Sequence, residues 1–314
     1  MVTTPRGDLR RAYGTFPAVA HGHLDRLRDR GAWLPAQEAE ALGAALGADA
    51  RETMVRLLPV AACYARAPIS GFHVGAVTMG LPVPGGDWGA MYLGANLEVE
   101  GGAPSFGVHA EQSATLHAWL HGERGLAAIA ISSAPCGHCR QFLRELSTAA
   151  TLEVTLPDAP GPGGWATHRL DGLLPAAFGP EQLGVGAGLM DPRHERHTLS
   201  LASSDPLVRA ALDAARCSWA PYTRNHAGVA LELGDGTVHV GRCAESAAYH
   251  PGVPALQCAI ALAHLGVDPG APLEIRRAVL VEEPTRARQR AAAEVVLAAC
   301  APGVTLEYHE ARAG

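Results

Sequence analysis

His109-Ala110-Glu111 and, one apolar run later, Pro135-Cys136-Gly137-His138-Cys139 are the residues from which the rest of the chain can be read. One imidazole and two thiolates are ligands that zinc prefers, and a tetrahedral ion held by three protein groups keeps its fourth position for water, the pattern of a catalytic rather than a structural site. Glu111 stands two residues beyond the first ligand, close enough to move that water's protons without binding the ion. The run Ala110 to Leu120 is rich in helix formers and is closed by Gly122, so His109 opens a helix. Pro135 signals a second helix start, and Cys136 and Cys139, three apart, put both sulfurs on one side of its first turn. The positive end of that helix, together with the ion, favours thiolate over thiol. Between the helices, Leu126 to Ser132 reads as a buried strand, giving a β-α-β-α run that sets the two helix starts side by side.

Either half alone is weak, since a lone Cys-x-x-Cys is also a redox pair or half of a structural zinc knuckle. Together and in this order they are the signature of the zinc-dependent base deaminases. The chain resembles the cytidine deaminases of the long, two-copy, homodimeric bacterial type. The resemblance rests on Phe72-His-Val-Gly-Ala76, Leu93-Gly-Ala-Asn-Leu-Glu98, Val108-His-Ala-Glu-Gln-Ser113, Pro135-Cys-Gly-His-Cys-Arg-Gln-Phe142 and Leu174-Pro-Ala-Ala-Phe-Gly-Pro180. It extends over most of the chain from about Leu57 and is weakest in the first fifty residues and the last ten.

The resemblance implies an α/β, three-layer cytidine-deaminase-like fold, a mixed sheet between helices, present in duplicate. It implies one Zn2+ per chain on His109, Cys136 and Cys139, with Glu111 as acid and base in converting cytidine or deoxycytidine to the uridine product and ammonia. Phe72 then walls the base, Asn96 and Glu98 meet the ribose, and Ala110 is a further substrate contact. Phe178 matches a residue that closes the partner subunit's pocket in related dimers. Each also has an ordinary reading: Asn and Glu at a strand end are often solvated, and Phe72 and Phe178 could be apolar anchors.

All 25 basic residues are arginine, which rules out Schiff-base and phosphate-loop lysines. With a net charge of −6 and no basic run, the chain lacks the footprint of a polynucleotide binder. No apolar run reaches the length of a membrane span, and the start carries no secretory pattern. Seven cysteines, an odd number with two given to metal, suit a reducing cytoplasm. Cys63, Cys217, Cys243, Cys258 and Cys300 read as small core residues. His117 and His121 read as surface positions, His138 as facing solvent or lying behind the ligands, and Arg140 as a hydrogen-bond donor near a ligand sulfur.

The organisation expected is a helical region over residues 1–55, a catalytic unit over 56–157, a connector over 158–204 and a second, degenerate unit over 205–314. The helical region offers Pro17 to Arg30, Pro35 to Leu46 and a start at Asp49 with Glu52 three residues on. The last unit repeats the catalytic one: Ala67-Pro68 to Ala76 matches Ala220-Pro221 to Val229, Gly94 to Glu98 matches Gly241 to Glu245, and His109 to Ala114 matches Pro254 to Ala259. Pro254 replaces His109, Leu256 replaces Glu111, and Pro284-Thr285-Arg-Ala-Arg288 replaces the Pro-Cys-Gly-His-Cys block, so the second copy keeps a fold and loses the chemistry. Other substrates remain open at this level: a specialised cytosine nucleoside, with specificity written in Pro82 to Asp87 and Gly161 to Trp165, a non-catalytic zinc module, or nucleic acid.

Overall fold

The computed structural model describes residues 8–158, 164–193 and 196–314. Of the two loops where specificity could be written, Pro82 to Asp87 is exposed, and residues 161–163 of the other lie outside the described residues. The chain opens with α1 (Leu9–Tyr13), α2 (His21–Asp29), β1 (Trp33–Leu34) and α3 (Ala36–Leu46). The first half follows as α4 (Ala50–Ala62), β2 (Gly75–Gly80), β3 (Met91–Ala95), α5 (Ala110–Leu120), β4 (Leu126–Ile131), α6 (Gly137–Leu143) and β5 (Glu153–Pro157). After β6 (Trp165–Arg169), α7 (Leu170–Leu173) and β7 (Leu199–Ser200), the second half runs α8 (Pro206–Arg216), β8 (Ala227–Leu233), β9 (Val238–Arg242), α9 (Ala255–Leu265), β10 (Ile275–Glu282), α10 (Arg290–Cys300) and β11 (Leu306–Glu310), with β12 (Arg312–Ala313) last.

The two halves share one topology. In the first, β2 is antiparallel to β3 and β4, and β4 is parallel to β5. In the second, β8 is antiparallel to β9 and β10, and β10 is parallel to β11. Both open on an aspartate-capped helix: Asp49 accepts from Glu52 N at 2.7 Å, and Asp205 accepts from Leu207 N at 2.8 Å ahead of Pro206. The first sheet is longer, β1 pairing on β3 and β6 on β5. The residue-55 division thus falls inside α4, and β6, in the stretch read as connector, is the outer strand of the first sheet.

Burial on both faces explains the nearly unbroken apolar character of β2 and β3. On one face Val77, Met79, Leu93 and Ala130 pack with α4 and the N-terminal helices, which gives those helices a function the sequence did not disclose. On the other face Ala76, Tyr92, Ile129 and Ile131 join α5, and this core continues without a break into the second half through Ala255, Ile260 and Leu280. Helices α5 and α9 pack against each other across the junction.

Close backbone approach fixes how each helix lies on its sheet. A Cβ on Gly94 of β3 would sit 2.1 Å from Ala114 N and 2.6 Å from Ala110 O of α5; one on Gly241 of β9 would sit 2.3 Å from both Ala255 O and Ala259 N of α9. Backbone atoms cannot step aside as a side chain can. Gly94→Ala therefore costs at least the ~1–3 kcal/mol of an overpacked core, measured as a lower urea midpoint, and Gly241→Ala a similar amount.

Candidate metal centre and substrate cavity

His109 is the N-cap residue of α5, and its backbone N–H donates to Gln112 Oε1 at 2.9 Å. The preceding Val108 is bridged to Leu97 just past β3, by bonds of 2.8 and 2.9 Å, so the strand end sets where the helix begins. Cys136 is the N-cap residue of α6, and Cys139 lies in that helix's first turn. Strand β4 delivers α6: Ser132 N donates to Gly75 O at 2.9 Å, and Ser132 Oγ accepts from Gly75 N at 3.0 Å. The two helix starts converge.

His109 Nδ1 lies 3.5 Å from Cys136 Sγ and 3.2 Å from Cys139 Sγ, and the two sulfurs are 3.7 Å apart. A tetrahedral zinc with bonds of ~2.3 Å to sulfur and ~2.0–2.1 Å to nitrogen requires sulfurs about 3.8 Å apart and sulfur–nitrogen separations of about 3.6 Å. The triangle fits that ion. The donors' own electrostatics lead the same way. Cys139 Sγ, hydrogen-bonded to Cys136, holds the Cys136 thiol near 4, while the same contact and burial push Cys139 up. Two thiolates this close cannot both ionise without a cation between them. Among the described residues no other set of three potential ligands comes together, the second half included.

Glu111 is 4% exposed and contacts Cys139 through its carboxyl, and burial raises its pKa. It opens onto a cavity of about 440 Å³ with His109, Ala110 and Cys136 on one side and Phe72, Asn96 and Glu98 on the other. Ser133 and Ala134 complete the wall, and nothing in their sequence context marks them. Cys139 is behind the wall, fully buried. Phe178 is not in this cavity: it is 44% exposed, and its carbonyl accepts from Gln141 Nε2 at 2.6 Å.

Asn96 and Glu98 are busy holding the chain opposite them. Asn96 accepts from Val74 N at 2.8 Å and donates to Phe72 O at 2.9 Å. Glu98 accepts from Ile69 N at 2.8 Å, Ser70 N at 3.0 Å and the Ser70 hydroxyl. The second half repeats the latter clamp, Glu245 accepting from Tyr222 N, Thr223 N and the Thr223 hydroxyl, so this arrangement belongs to the fold as well as to any site.

Two expectations need correcting. His117 is buried, its Nδ1 2.9 Å from Leu93 O and its ring against Tyr92, and burial pulls its pKa down to about 3. The helix face it occupies is turned to the sheet. Arg140 leaves the sulfurs alone and donates to Pro135 O and Leu173 O, tying α6 to the stretch behind it. His138 lies behind the ligands, its ring 5.4 Å from that of His109 and its Nε2 3.2 Å from Gln112 Nε2.

Comparison with known proteins fits this geometry. Residues 48–154 and 170–294 each match a family model described as the cytidine and deoxycytidylate deaminase zinc-binding region. A cytidine deaminase of Aeromonas hydrophila is 48% identical over 242 residues, 77% of each chain. One of Photorhabdus laumondii is 43% identical over 85% of this chain and 86% of its own, and one of Vibrio cholerae 38% identical over 96% and 99%. The chain belongs to the cytidine deaminase family. The family match covers both halves, yet only the first assembles the ligands, so this cytidine deaminase is a duplicated α/β zinc protein with one candidate centre among its described residues. No described helix is long and apolar enough to cross a membrane. Metal analysis by plasma emission should return one zinc per chain, falling to background in Cys139→Ala; two per chain would place a second ion in the other half.

Proposed function

We propose that the chain hydrolyses the exocyclic amine of cytidine and deoxycytidine, releasing ammonia and the uridine product, with His109, Cys136 and Cys139 holding zinc and Glu111 moving the protons. The observation that carries this reading is the shared cavity. One wall holds the ligand set and a buried carboxyl, and the other holds an aromatic ring and polar strand-end residues, at a size within the ~300–1,000 Å³ of small-molecule sites. Zinc in that triangle supplies the Lewis acidity that lets water ionise near neutral pH. Glu111 takes the water's proton and delivers it to the ring nitrogen beside the amine-bearing carbon while the oxygen attacks that carbon. It then passes the second proton to the departing amine, and a carbonyl remains. Burial suits Glu111 to this shuttle, because a carboxyl kept from water holds and releases protons closer to neutrality.

Phe72 offers a face for the base and Ala110 lies beside the ring's reacting edge. Three of the roughly four acceptor positions of the Glu98 carboxylate are filled by the Ile69–Ser70 turn, which leaves one for a ribose hydroxyl. Among the described residues no arginine lines the cavity, and a carboxylate at the sugar end repels phosphate, so the free nucleoside is preferred to its nucleotide. The second unit, over residues 205–314, serves as a scaffold. The chain works as a homodimer in the cytoplasm, with no nucleic-acid partner: Phe178 of one subunit covers the cavity mouth of the other, where Phe72 and Ile69 leave an apolar rim exposed. Two of its seven cysteines are given to zinc and the other five stand free, which suits a reducing compartment.

Loss of ultraviolet absorbance with cytidine, deoxycytidine, cytosine and cytidine monophosphate tests the substrate class: both nucleosides should turn over, with kcat/KM for the monophosphate lower by ~10²-fold or more, the size of a lost or opposed charge-assisted contact. Turnover of the monophosphate alone would overturn it. Glu111→Ala should lower kcat by at least ~10²- to 10⁴-fold with zinc content unchanged; loss of the metal would make Glu111 a ligand instead.

A further inference from the structure

The stretch just past α6 carries a carboxylate that the chemistry does not use. Glu145 is fully buried, and its side chain accepts from three donors: Trp219 Nε1 at 2.8 Å, Ala247 N at 2.9 Å and the Tyr222 hydroxyl. All three belong to the second half. Among the described residues no arginine pairs with it, so those donors are what keep a desolvated carboxylate satisfied.

The surface that receives Glu145 has a counterpart in the live site. Trp219 is tied to the β9 end by Trp219 N to Cys243 O at 2.9 Å and Glu245 N to Trp219 O at 2.8 Å. In the first half Arg66 is tied to the β3 end in the same way, Arg66 N to Asn96 O at 2.8 Å and Glu98 N to Arg66 O at 2.7 Å. Tyr222 and Glu245 correspond to Ile69 and Glu98, which wall the live cavity. The rim of the vestigial site has become a socket for the catalytic half.

A second bridge reaches the other ligand helix. Gln112 accepts from His109 N at 2.9 Å and, through Nε2, donates to Pro251 O of the second half at 2.9 Å. Pro251 lies in a turn whose Tyr249 has a φ of +63°, a conformation a bulky residue enters only under strain. The next residue, His250, sets its ring against His138 at 5.3 Å, between the two cysteines. α6 has seven residues and is about 10 Å long, with the sulfurs at its start and Glu145 two residues past its end. Any tilt released at the far end appears at the sulfurs.

We propose that Glu145 and Gln112 are positioning residues, through which the non-catalytic half fixes both helix starts that hold the ligands. This rests on His109, Cys136 and Cys139 being the zinc ligands. The test uses zinc-loaded full-length protein, with Glu145→Gln, which turns an amide N–H toward donors, and Tyr222→Phe, which removes a single hydroxyl. Zinc transfer to a colorimetric chelator should be at least fivefold faster in Tyr222→Phe and faster still in Glu145→Gln. The α6 amides should exchange hydrogen sooner, and kcat should fall while KM for cytidine stays within twofold. Val296→Ala, a core truncation in α10, should lower the Tm and leave zinc transfer unchanged. Unchanged transfer in Tyr222→Phe, or equal acceleration in Val296→Ala, overturns the proposal, and if Glu145→Gln does not fold, Tyr222→Phe decides. Wild-type protein that keeps no zinc would instead refute the ligand assignment.

Discussion

A side chain at residue 94 would have to occupy the space of the α5 backbone, and this intolerance locates the rest of the site. It presses α5 onto β3, so that the bridge between Leu97 and Val108 delivers His109 to the helix start at a fixed distance from the sheet. Strand β4, on the far side of β2 from β3, delivers α6. The imidazole and the two sulfurs therefore meet because two helices leave the strands that flank β2 with little freedom in where they begin. Gly241 imposes the same constraint on α9, where nothing catalytic remains to be placed.

The chemistry needs one group kept from water and others open to it. Glu111 and Cys139 are buried, whereas Cys136 and the ring of Phe72 face the cavity or its mouth. That division follows from helix geometry, since residues three apart at a helix start share a side but differ in depth. The acid sits one position further round α5 than Ala110, against a sulfur and beside the space a base would fill.

Much of this could be read in the sequence because the ligands are few, chemically distinctive and carried on short local motifs. His109, Glu111, Cys136 and Cys139 announce themselves by type and spacing, and the duplicated topology by matching glycines and helix starts. What could not be read is set by long-range packing. His117 reads as a surface position because no carboxylate accompanies it and His121, and it is buried because α5 turns that face to Leu93 and Tyr92. Gln112 carried a legible signal, a helix-start glutamine three residues past the cap, but its second bond, to Pro251, spans 139 positions. Nor does an isolated glutamate such as Glu145 look different from a solvated one until its three distant donors are placed around it. The N-terminal helices were legible as helices; the sheet face they cover was not.

The apolar core that runs unbroken from α5 into α9 has a consequence for biosynthesis. The ribosome releases the ligand-bearing half first, while the surface that completes it is still being translated some hundred residues behind, and domains emerge in that order. Until α9 emerges, the flank of α5 that it covers stays open to water. The groups that meet Glu145 and Gln112 lie between Trp219 and Pro251, so the contacts proposed to steady both ligand helices can form only after that stretch has been made.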